Sequence, residues 1–312
     1  MKLICLPKKK FLLVSLFTLS ALLIPNKALA AGNVITVTPQ LIQLDLSESP
    51  PEAEYFYTND TSQTIELTLS MQDVKELEDR GIPGLLDGNE AKNYKYGLSS
   101  WAKFSNNNIV IAPNETKKVT VFIDANRLSI GGHYASVLAE VKQVDKEGPV
   151  KLRAILSSLL FVRQGGGHET EQAALLDLRP NTAYHQFPTA FSFKLNNMGN
   201  VDLTPHGRLT IQDPFGKEIA VGIVNEDSLI TLPESIRRYT VNLPQKTGFS
   251  IPGIYTARLQ IYYGKKRIQT GLTTRFISLG GATLPVIGIG LGILAIGGYA
   301  LFKFSRRNHA VE

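Results

Sequence analysis

The chain contains a single cysteine among its 312 residues, Cys5. One thiol cannot form an intramolecular disulfide, and it cannot build a cysteine-based metal site. Cys5 also precedes the apolar segment that begins at Phe11, whereas a lipid-modified cysteine would follow such a segment. The scarcity of cysteine therefore excludes a disulfide scaffold and predicts no role for thiol chemistry.

Histidine is also scarce, and its five residues are scattered: His133, His168, His185, His206 and His309. None of them belongs to a spacing typical of zinc sites, in which ligands recur at short intervals. The sequence therefore predicts no metal site.

Signatures of catalysis are missing as well. The sequence has no nucleophile elbow and no Ser-x-x-Lys tetrad, and Gly165–Gly167 lacks the Lys and Ser or Thr of a phosphate-binding loop. The acidic run Glu76–Asp79 is interpreted as a solvated loop, and Asp87–Glu90 as an Asp-Gly turn that falls far short of a calcium loop. We predict no catalytic residues, no cofactor and no enzymatic activity. A glycan hydrolase that uses a carboxylate is the alternative left open.

Most of the chain lacks an excess of positive charge. The formal net charge is +6, but five lysines lie in the first 30 residues without any acid, and residues 31–281 carry one more acid than bases. A nucleic-acid partner inferred from a basic isoelectric point is therefore excluded.

The first 30 residues have the parts of a secretory signal peptide. Lys8–Lys10 precede an apolar run over residues 11–24, and Ala28-Leu29-Ala30 is a small-x-small cleavage site. The run is too short for a mature membrane helix, which needs about 20 residues. We predict cleavage after Ala30, so that the mature chain begins at Ala31.

A second apolar run, residues 282–302, has no charged side chain and is long enough to cross a membrane. A basic tail follows at residues 303–312, and such tails stay in the cytoplasm. The pattern predicts a single-pass protein of the cell membrane with its bulk outside. Residues 284–288 resemble the sortase signal Leu-Pro-x-Thr-Gly, but Ile287 replaces the Thr, so membrane retention is expected and wall sorting is the alternative.

Between these ends, helical periodicity is nearly absent. Short runs of β-branched and aromatic residues alternate with Gly, Pro and Asn turns at roughly ten-residue spacing, which is typical of β-sandwiches. Three consecutive glycines interrupt the pattern within residues 164–172. The sequence predicts an all-β fold of two tandem immunoglobulin-like sandwiches, residues 31–163 and 173–281, joined by this Gly-rich linker.

One segment of the first predicted sandwich departs from the strand rhythm. Lys75–Ser100 combines charges with aromatic residues and is interpreted as a long insertion between strands, since loops over about 12–15 residues are usually functional or disordered. Tyr94, Tyr96 and Trp101 are the candidate ligand-binding residues, because aromatic rings stack on sugars or peptide stems. The alternative is that Tyr94 and Trp101 cover the sandwich.

A short basic run, Lys265, Lys266 and Arg267, follows two tyrosines and a glycine and precedes a predicted strand. It is interpreted as a basic hairpin tip near the membrane. Lipid headgroups or anionic wall polymers are its candidate ligands, and an ordinary solvated hairpin is the alternative.

Several turn-and-strand motifs resemble those of the WxL-interacting protein family of bacterial surface proteins. In the first half these are Val37-Thr38-Pro39, Tyr55-x-Tyr57-Thr58-Asn59, the insertion ending in Trp101, Ile111-Ala112-Pro113-Asn114-Glu115 and Gly131-Gly132-His133-Tyr134. In the second half they are Asn196–Val201, Pro205-His206-Gly207, Asp213–Lys217 and Leu232–Tyr239. The resemblance implies two sandwich domains before one membrane helix, with peptidoglycan bound by the first domain and another protein or host ligand by the second.

We therefore expect a non-enzymatic, membrane-anchored surface protein that binds cell-wall peptidoglycan or other surface proteins, as an adhesion protein would. The alternative is a chaperone-like assembly module that binds partner strands by edge addition. Its sign would be an exposed, apolar edge without proline, such as Ala154–Val162.

Overall fold

The computed structural model describes residues 34–143, 154–182, 187–244, 251–279 and 292–300. The predicted signal peptide, residues 1–30, and the predicted tail, residues 303–312, lie outside these ranges, as does most of the predicted membrane span, residues 282–302. Within that span, residues 292–300 are helical. Among the described residues, no helix has the length and apolar character needed to cross a membrane.

The fold is all-β, as the alternating sequence pattern predicts. The described residues of the first unit form ten strands: β1 (Ile35–Thr38), β2 (Leu41–Asp45), β3 (Glu52–Asn59), β4 (Ile65–Leu77), β5 (Ile82–Leu85), β6 (Ala102–Phe104), β7 (Asn108–Ile111), β8 (Glu115–Ile123), β9 (Gly131–Gln143) and β10 (Ala154–Gln164). One short helix, α1 (Gly88–Asn93), follows β5. Single 3-10 turns cover residues 78–80, 99–101 and 125–127.

These strands form two sheets around one hydrophobic core. One sheet has the order β1-β3-β8-β6, and the other has the order β2-β10-β9-β4-β5, with β7 also paired to β4. Burial alternates along β3, so that Tyr55 and Tyr57 point inward while Glu54 and Phe56 point outward. The period of two along each strand therefore places one face of every sheet in the core.

The first two strands of this unit, β1 and β2, belong to different sheets. β1 pairs antiparallel with β3, and after the Thr38-Pro39 peptide bond, which is cis, β2 pairs parallel with β10. The register places Leu41–Asp45 of β2 beside Leu159–Arg163 of β10. β2 therefore covers only the second half of β10.

In the part of the second unit that the structure describes there are seven strands: β11 (Ala173–Pro180), β12 (Ala190–Asn197), β13 (His206–Gln212), β14 (Glu218–Val224), β15 (Ile236–Asn242), β16 (Gly253–Tyr263) and β17 (Ile268–Ser278). They form one sheet with the order β11-β12-β15 and another with the order β14-β13-β16-β17. Phe191, Phe193 and Leu195 of β12 pack with Leu209 and Ile211 of β13 in a second, separate core.

The predicted insertion Lys75–Ser100 is more regular than the sequence suggests. β4 continues into the predicted insertion as far as Leu77, and Val74–Leu77 pair with β5. The prediction of an irregular segment is thus wrong for residues 75–77 and 82–85, because charged residues on an extended hairpin hide the strand pattern. After the hairpin, α1 begins at Gly88, in the predicted Asp-Gly turn.

The two units are connected through Gly165–Gly167, which all have positive φ angles. Glycine adopts such angles without steric cost, so the triplet forms the bend between β10 and β11. On either side of this bend, Arg163 pairs with Glu171 at 3.2 Å, and both side chains are largely buried. The linker is therefore bordered by a direct ion pair.

Candidate functional site

The tyrosines that the sequence singles out lie at the boundary between the units. Tyr96 is 5% exposed and belongs to a small buried cluster with Val74, Tyr134, Phe161 and Leu232. Tyr94 is half-buried and meets Tyr96 edge-on, with ring centroids 5.7 Å apart. The ring of Tyr96 is thus in contact with protein, and a ligand-binding role for Tyr94 and Tyr96 stays a prediction.

Trp101 lies elsewhere, in the 3-10 turn before β6. It is half-buried and packs against the core of the first unit. The guanidinium of Arg127 lies 5.6 Å from the ring centroid, a distance typical of a cation–π contact. The structure therefore does not bring Trp101 into the cluster that holds Tyr96, and its own role in binding stays a prediction.

Asp73 positions the end of the insertion. No motif in the sequence indicates this role. Its buried carboxylate accepts hydrogen bonds from the backbone N–H groups of Leu98 and Ser99, both at 2.7 Å. These bonds hold the segment between Tyr96 and Trp101 against β4.

The basic run Lys265–Arg267 forms the turn between β16 and β17. Lys265 contacts the carboxylates of Asp45 and Glu48 in the first unit, while Glu171 accepts the backbone N–H of Lys265 at 2.9 Å. Arg267 lies over the ring of Tyr262 at 4.4 Å. Acidic side chains thus surround part of the run, and its binding to lipid or wall polymer stays a prediction.

A partly buried polar cluster joins the units near this turn. The Tyr134 hydroxyl donates to Asp202 at 3.2 Å, and Arg163 donates to the Asp202 backbone carbonyl at 3.3 Å. Burial raises the pKa of Asp202, against the lowering effects of the Arg163 charge and the Tyr134 hydrogen bond. A Cβ at Gly132 would lie 1.8 Å from the Tyr134 hydroxyl, so only glycine leaves room for this contact.

A second set of ion pairs crosses the boundary beside β5. Asp79 accepts from Lys194 at 2.8 Å and from Arg238 at 2.6 Å. These hydrogen bonds lower the pKa of Asp79 to about 2. Because partly exposed ion pairs contribute little each, this set adds only modestly to the contact between the units.

Part of the edge of β10 has no paired strand among the described residues. No described strand pairs with Ala154–Ser158 on the side where β2 covers Leu159–Arg163. Ile155 is 62% exposed, and Leu156 is half-buried against the core. The segment has neither a charged residue nor a proline, which are the usual protections of an edge strand.

The direction of the backbone groups along this edge follows from the register. The N–H of Leu159 donates to the carbonyl of Gln40 at 2.8 Å, so Leu159 faces the covering chain. β10 pairs with β9 without a bulge from residue 154 to 164, and backbone groups alternate between the two edges. The N–H and C=O groups of Ile155 and Ser157 therefore point to the open edge.

Among the described residues, no group of three or more His, Cys, Asp or Glu side chains is placed to hold a metal ion. His133 is buried, and its ring nitrogens lie 3.1 Å from the carbonyl of Gly97 and 2.9 Å from that of Ser129. These contacts make His133 a residue of the structural core. His185 and His309 lie outside the described ranges.

No protein-family model matches this sequence, and no curated protein matches it. Solved structures with partial similarity include a chain from a chaperone–tip adhesin complex of CFA/I fimbriae biogenesis, with a TM-score of 0.43, 8% identity and coverage of 80% of this chain and 100% of that one. The class 5 fimbriae chaperone CfaA gives a TM-score of 0.41, 7% identity and coverage of 78% and 99%. The Pseudomonas aeruginosa chaperone CupB2 gives 0.39, 9% identity and coverage of 77% and 100%. At these values the similarities carry no conclusion about fold or function.

Proposed function

We propose that this protein is a non-enzymatic bacterial surface protein that binds an extended segment of another surface protein by strand addition to the open edge of β10. The proposal rests on the backbone N–H and C=O groups of Ile155 and Ser157. These groups point away from β9, and no described strand pairs with them. In this proposal the two units are immunoglobulin-like sandwiches in tandem. The predicted signal peptide and anchor, together with the resemblance to WxL-interacting proteins, would place them outside the cell.

The edge offers both sources of affinity that strand addition requires. Main-chain hydrogen bonds would form to Ile155 and Ser157, and side-chain contacts would form to the exposed Ile155 and the half-buried Leu156. Because the open stretch is five residues long, the partner we expect is a short strand with alternating apolar residues.

A proline at position 157 tests the edge directly. Ser157→Pro removes an N–H that points away from β9, so the ladder to β9 stays intact while one bond to an added strand is lost. Ser157→Ala is the matched control, since it also loses the contact between the Ser157 and Ser136 hydroxyls at 2.8 Å but keeps the N–H.

Partner contact is measured by photo-crosslinking on intact cells, with a benzophenone amino acid at position 155. Ile223 in the second unit is 60% exposed and serves as the control position, because its exposure matches that of Ile155. We expect a discrete protein adduct at position 155 that Ser157→Pro abolishes and Ser157→Ala retains. An adduct that survives Ser157→Pro, or equal adducts at positions 155 and 223, would overturn the proposal.

Peptidoglycan binding stays a prediction from the sequence, with the half-buried Tyr94 and Trp101 as its remaining partly exposed rings. Sedimentation of the protein with isolated peptidoglycan at low and high salt tests it separately. Salt-resistant binding that is lost when Tyr94, Tyr96 and Trp101 are replaced by Ala would support it, and absence of binding would remove it.

A further inference from the structure

Exposed apolar side chains lie together at one end of the second unit. β16 ends at the turn Lys265–Arg267, which contacts the first unit, so the start of β16 lies at the opposite end. Phe215, in the turn between β13 and β14, is 80% exposed at that end. Ile251, just before β16, is exposed as well, as are Ile254 and Ile277, which face each other across β16 and β17. Exposed apolar patches of this kind mark sites of contact with a protein or a membrane.

Two sets of contacts hold the turn that carries Phe215. The Asp213 carboxylate accepts the backbone N–H groups of Phe215 and Lys217, each at 2.9 Å. A Cβ at Gly253 would lie 2.6 Å from Cγ of Pro214, so Pro214 packs on the backbone at the start of β16. Phe215 is therefore exposed on a turn that is fixed beside the first residues of β16.

The chain leaves the second unit at this same end. β17 ends at Ser278, and the last described residue of the unit, Leu279, is also exposed. The apolar run that predicts a membrane span begins at Ala282, three residues later. Because an extended chain covers at most ~3.6 Å per residue, Leu279 lies within about 11 Å of the start of that run.

A membrane span over residues 282–302 would bring this end of the second unit to the bilayer surface. The headgroup region on each side of the hydrocarbon core is about 5–8 Å thick, which is comparable with the reach of the connecting residues. Apolar side chains at this boundary gain free energy when they leave water. We propose that this end of the second unit docks on the surface of the lipid bilayer, with Phe215 inserted among the acyl chains and Ile254 and Ile277 in contact with them. The proposal rests on the membrane anchor of the proposed function, but not on strand addition to β10.

The charged residues at this end are compatible with a membrane surface. Lys217 and Arg275 are exposed, and neither forms an ion pair with a described residue. Arg275 lies two residues before Ile277, on the same side of β17. Because the exposed Glu218 offsets one of these charges, the apolar contacts must supply most of the affinity, and the two basic residues add a preference for anionic headgroups.

Bromine quenching of a tryptophan at position 215 tests this contact. Phe215→Trp is introduced in the full-length protein, which is reconstituted into vesicles of phosphatidylcholine and phosphatidylglycerol with brominated acyl chains. Trp101, the single native tryptophan, packs against the core of the first unit and gives the background signal.

Ile223→Trp is the matched control, because Ile223 is 60% exposed on the outer side of the same sheet. It lies level with Gln260, six residues along β16 from Ile254, which corresponds to about 20 Å. We expect bromine quenching to be at least about threefold stronger at position 215 than at position 223, because side chains docked at an interface lie only about 5–10 Å into the acyl boundary.

A pair of double variants connects the quenching to the apolar patch. Ile254→Ser with Ile277→Ser should reduce the quenching at position 215 by about half or more, since it removes two apolar contacts with the bilayer. Val221→Ser with Ile223→Ser, at exposed positions farther along the same sheet, should leave it unchanged. Circular dichroism checks that each variant is folded, and the comparison of positions 215 and 223 decides the matter if the first double variant is not.

Vesicle flotation separates the failure of docking from the failure of the anchor. Protein that floats with the vesicles but shows equal quenching at positions 215 and 223 would support the anchor and overturn the docking. Protein that does not float would overturn both. A benzophenone amino acid at position 215 that crosslinks two copies of the chain, without lipid quenching, would assign the patch to a second copy and also overturn the proposal. Crosslinking at position 155 is measured independently, so strand addition to β10 stands or fails on its own result.

Discussion

The two halves of β10 share one strand and one partner, β9, but differ in what lies on their other side. Leu159–Arg163 are covered by β2, whereas no described strand covers Ala154–Ser158. Both halves direct alternate side chains into the same core, with Leu156 in the open half and Leu160 in the covered half. Local sequence therefore determines which side chains face inward, while a distant segment determines which backbone edge is available.

The halves also differ on the outer face of the sheet. Leu159 and Phe161 pack in the aromatic cluster at the unit boundary, whereas Ile155 lies exposed. The covered half is thus enclosed by β2 and by the second unit, and the open half by neither among the described residues. If the open half serves as a binding edge, the covered half must provide the stability that keeps it in place.

The largest expected effect comes from truncating the core residue of the covered half. Leu160 is fully buried, so Leu160→Ala should lower the free energy of unfolding by ~2–5 kcal/mol, the cost of lost burial plus a cavity. Leu156→Ala, at a half-buried position of the open half, should cost ~1–2 kcal/mol. Urea unfolding measures both, and equal losses would show that the two halves are equally enclosed.

Two proline substitutions compare the two backbone edges of the open half of β10, the edge paired with β9 and the edge without a partner strand. Ser158 faces β9, so Ser158→Pro should break a ladder hydrogen bond and cost ~1–3 kcal/mol. Ser157→Pro should cost less than ~1 kcal/mol, because its N–H faces the open edge. Urea unfolding measures both variants, and a larger loss from Ser157→Pro would contradict the assigned edge.

Asp202, whose backbone carbonyl accepts from Arg163 of the covered half, makes the stability of the protein depend on pH. Because burial raises the pKa of Asp202 in the folded state, its stabilising contribution is fully present below the unfolded pKa and is lost as pH rises through the folded pKa. Asp202→Asn removes this titration, so the variant should gain stability relative to the native protein as pH rises, by ~1.4 kcal/mol for each unit of pKa difference. Urea unfolding from pH 4 to 8 measures it, and hydrogen exchange should change in residues 159–163 but not in 154–158.

The sequence predicts the all-β class well, because alternation along strands such as β3 and β8 is a local property. It also marks the bend at Gly165–Gly167. It fails at residues 75–77, where charged positions on a two-stranded hairpin hide the extended pattern. It gives no sign that β2 leaves the sheet of β1, since that switch depends on pairing across more than 100 residues of sequence.

Two asparagines within the motifs that carry the family resemblance make structural contacts. Asn59 and Asn197 are both buried at strand ends, where their side-chain amides donate to backbone carbonyls such as those of Ile111 and Val201. The burial of Tyr96 could not be predicted from the sequence, since an aromatic residue in a charged segment suggests a ligand-binding surface. It is buried with Tyr134 of β9 and Leu232 of the second unit, contacts distant in sequence that no local pattern encodes.

The smallest expected effect concerns the end of the covering strand. Asp45, the last residue of β2, accepts from Lys265, and although burial raises its pKa, the hydrogen bonds from Lys265 and Ser47 outweigh that effect and lower it. The stabilisation from Asp45 is therefore present above its unfolded pKa and lost as pH falls through the lowered value.

Lys265→Ala should cost at most ~1 kcal/mol, and high salt should screen the loss, as for other partly exposed ion pairs. We expect faster hydrogen exchange in β2, while Lys266→Ala in the same exposed turn leaves it unchanged. If β2 loosens, the covered half of β10 should begin to exchange like the open half. Unchanged exchange in β2 would mean that its parallel pairing to β10 alone keeps that half covered.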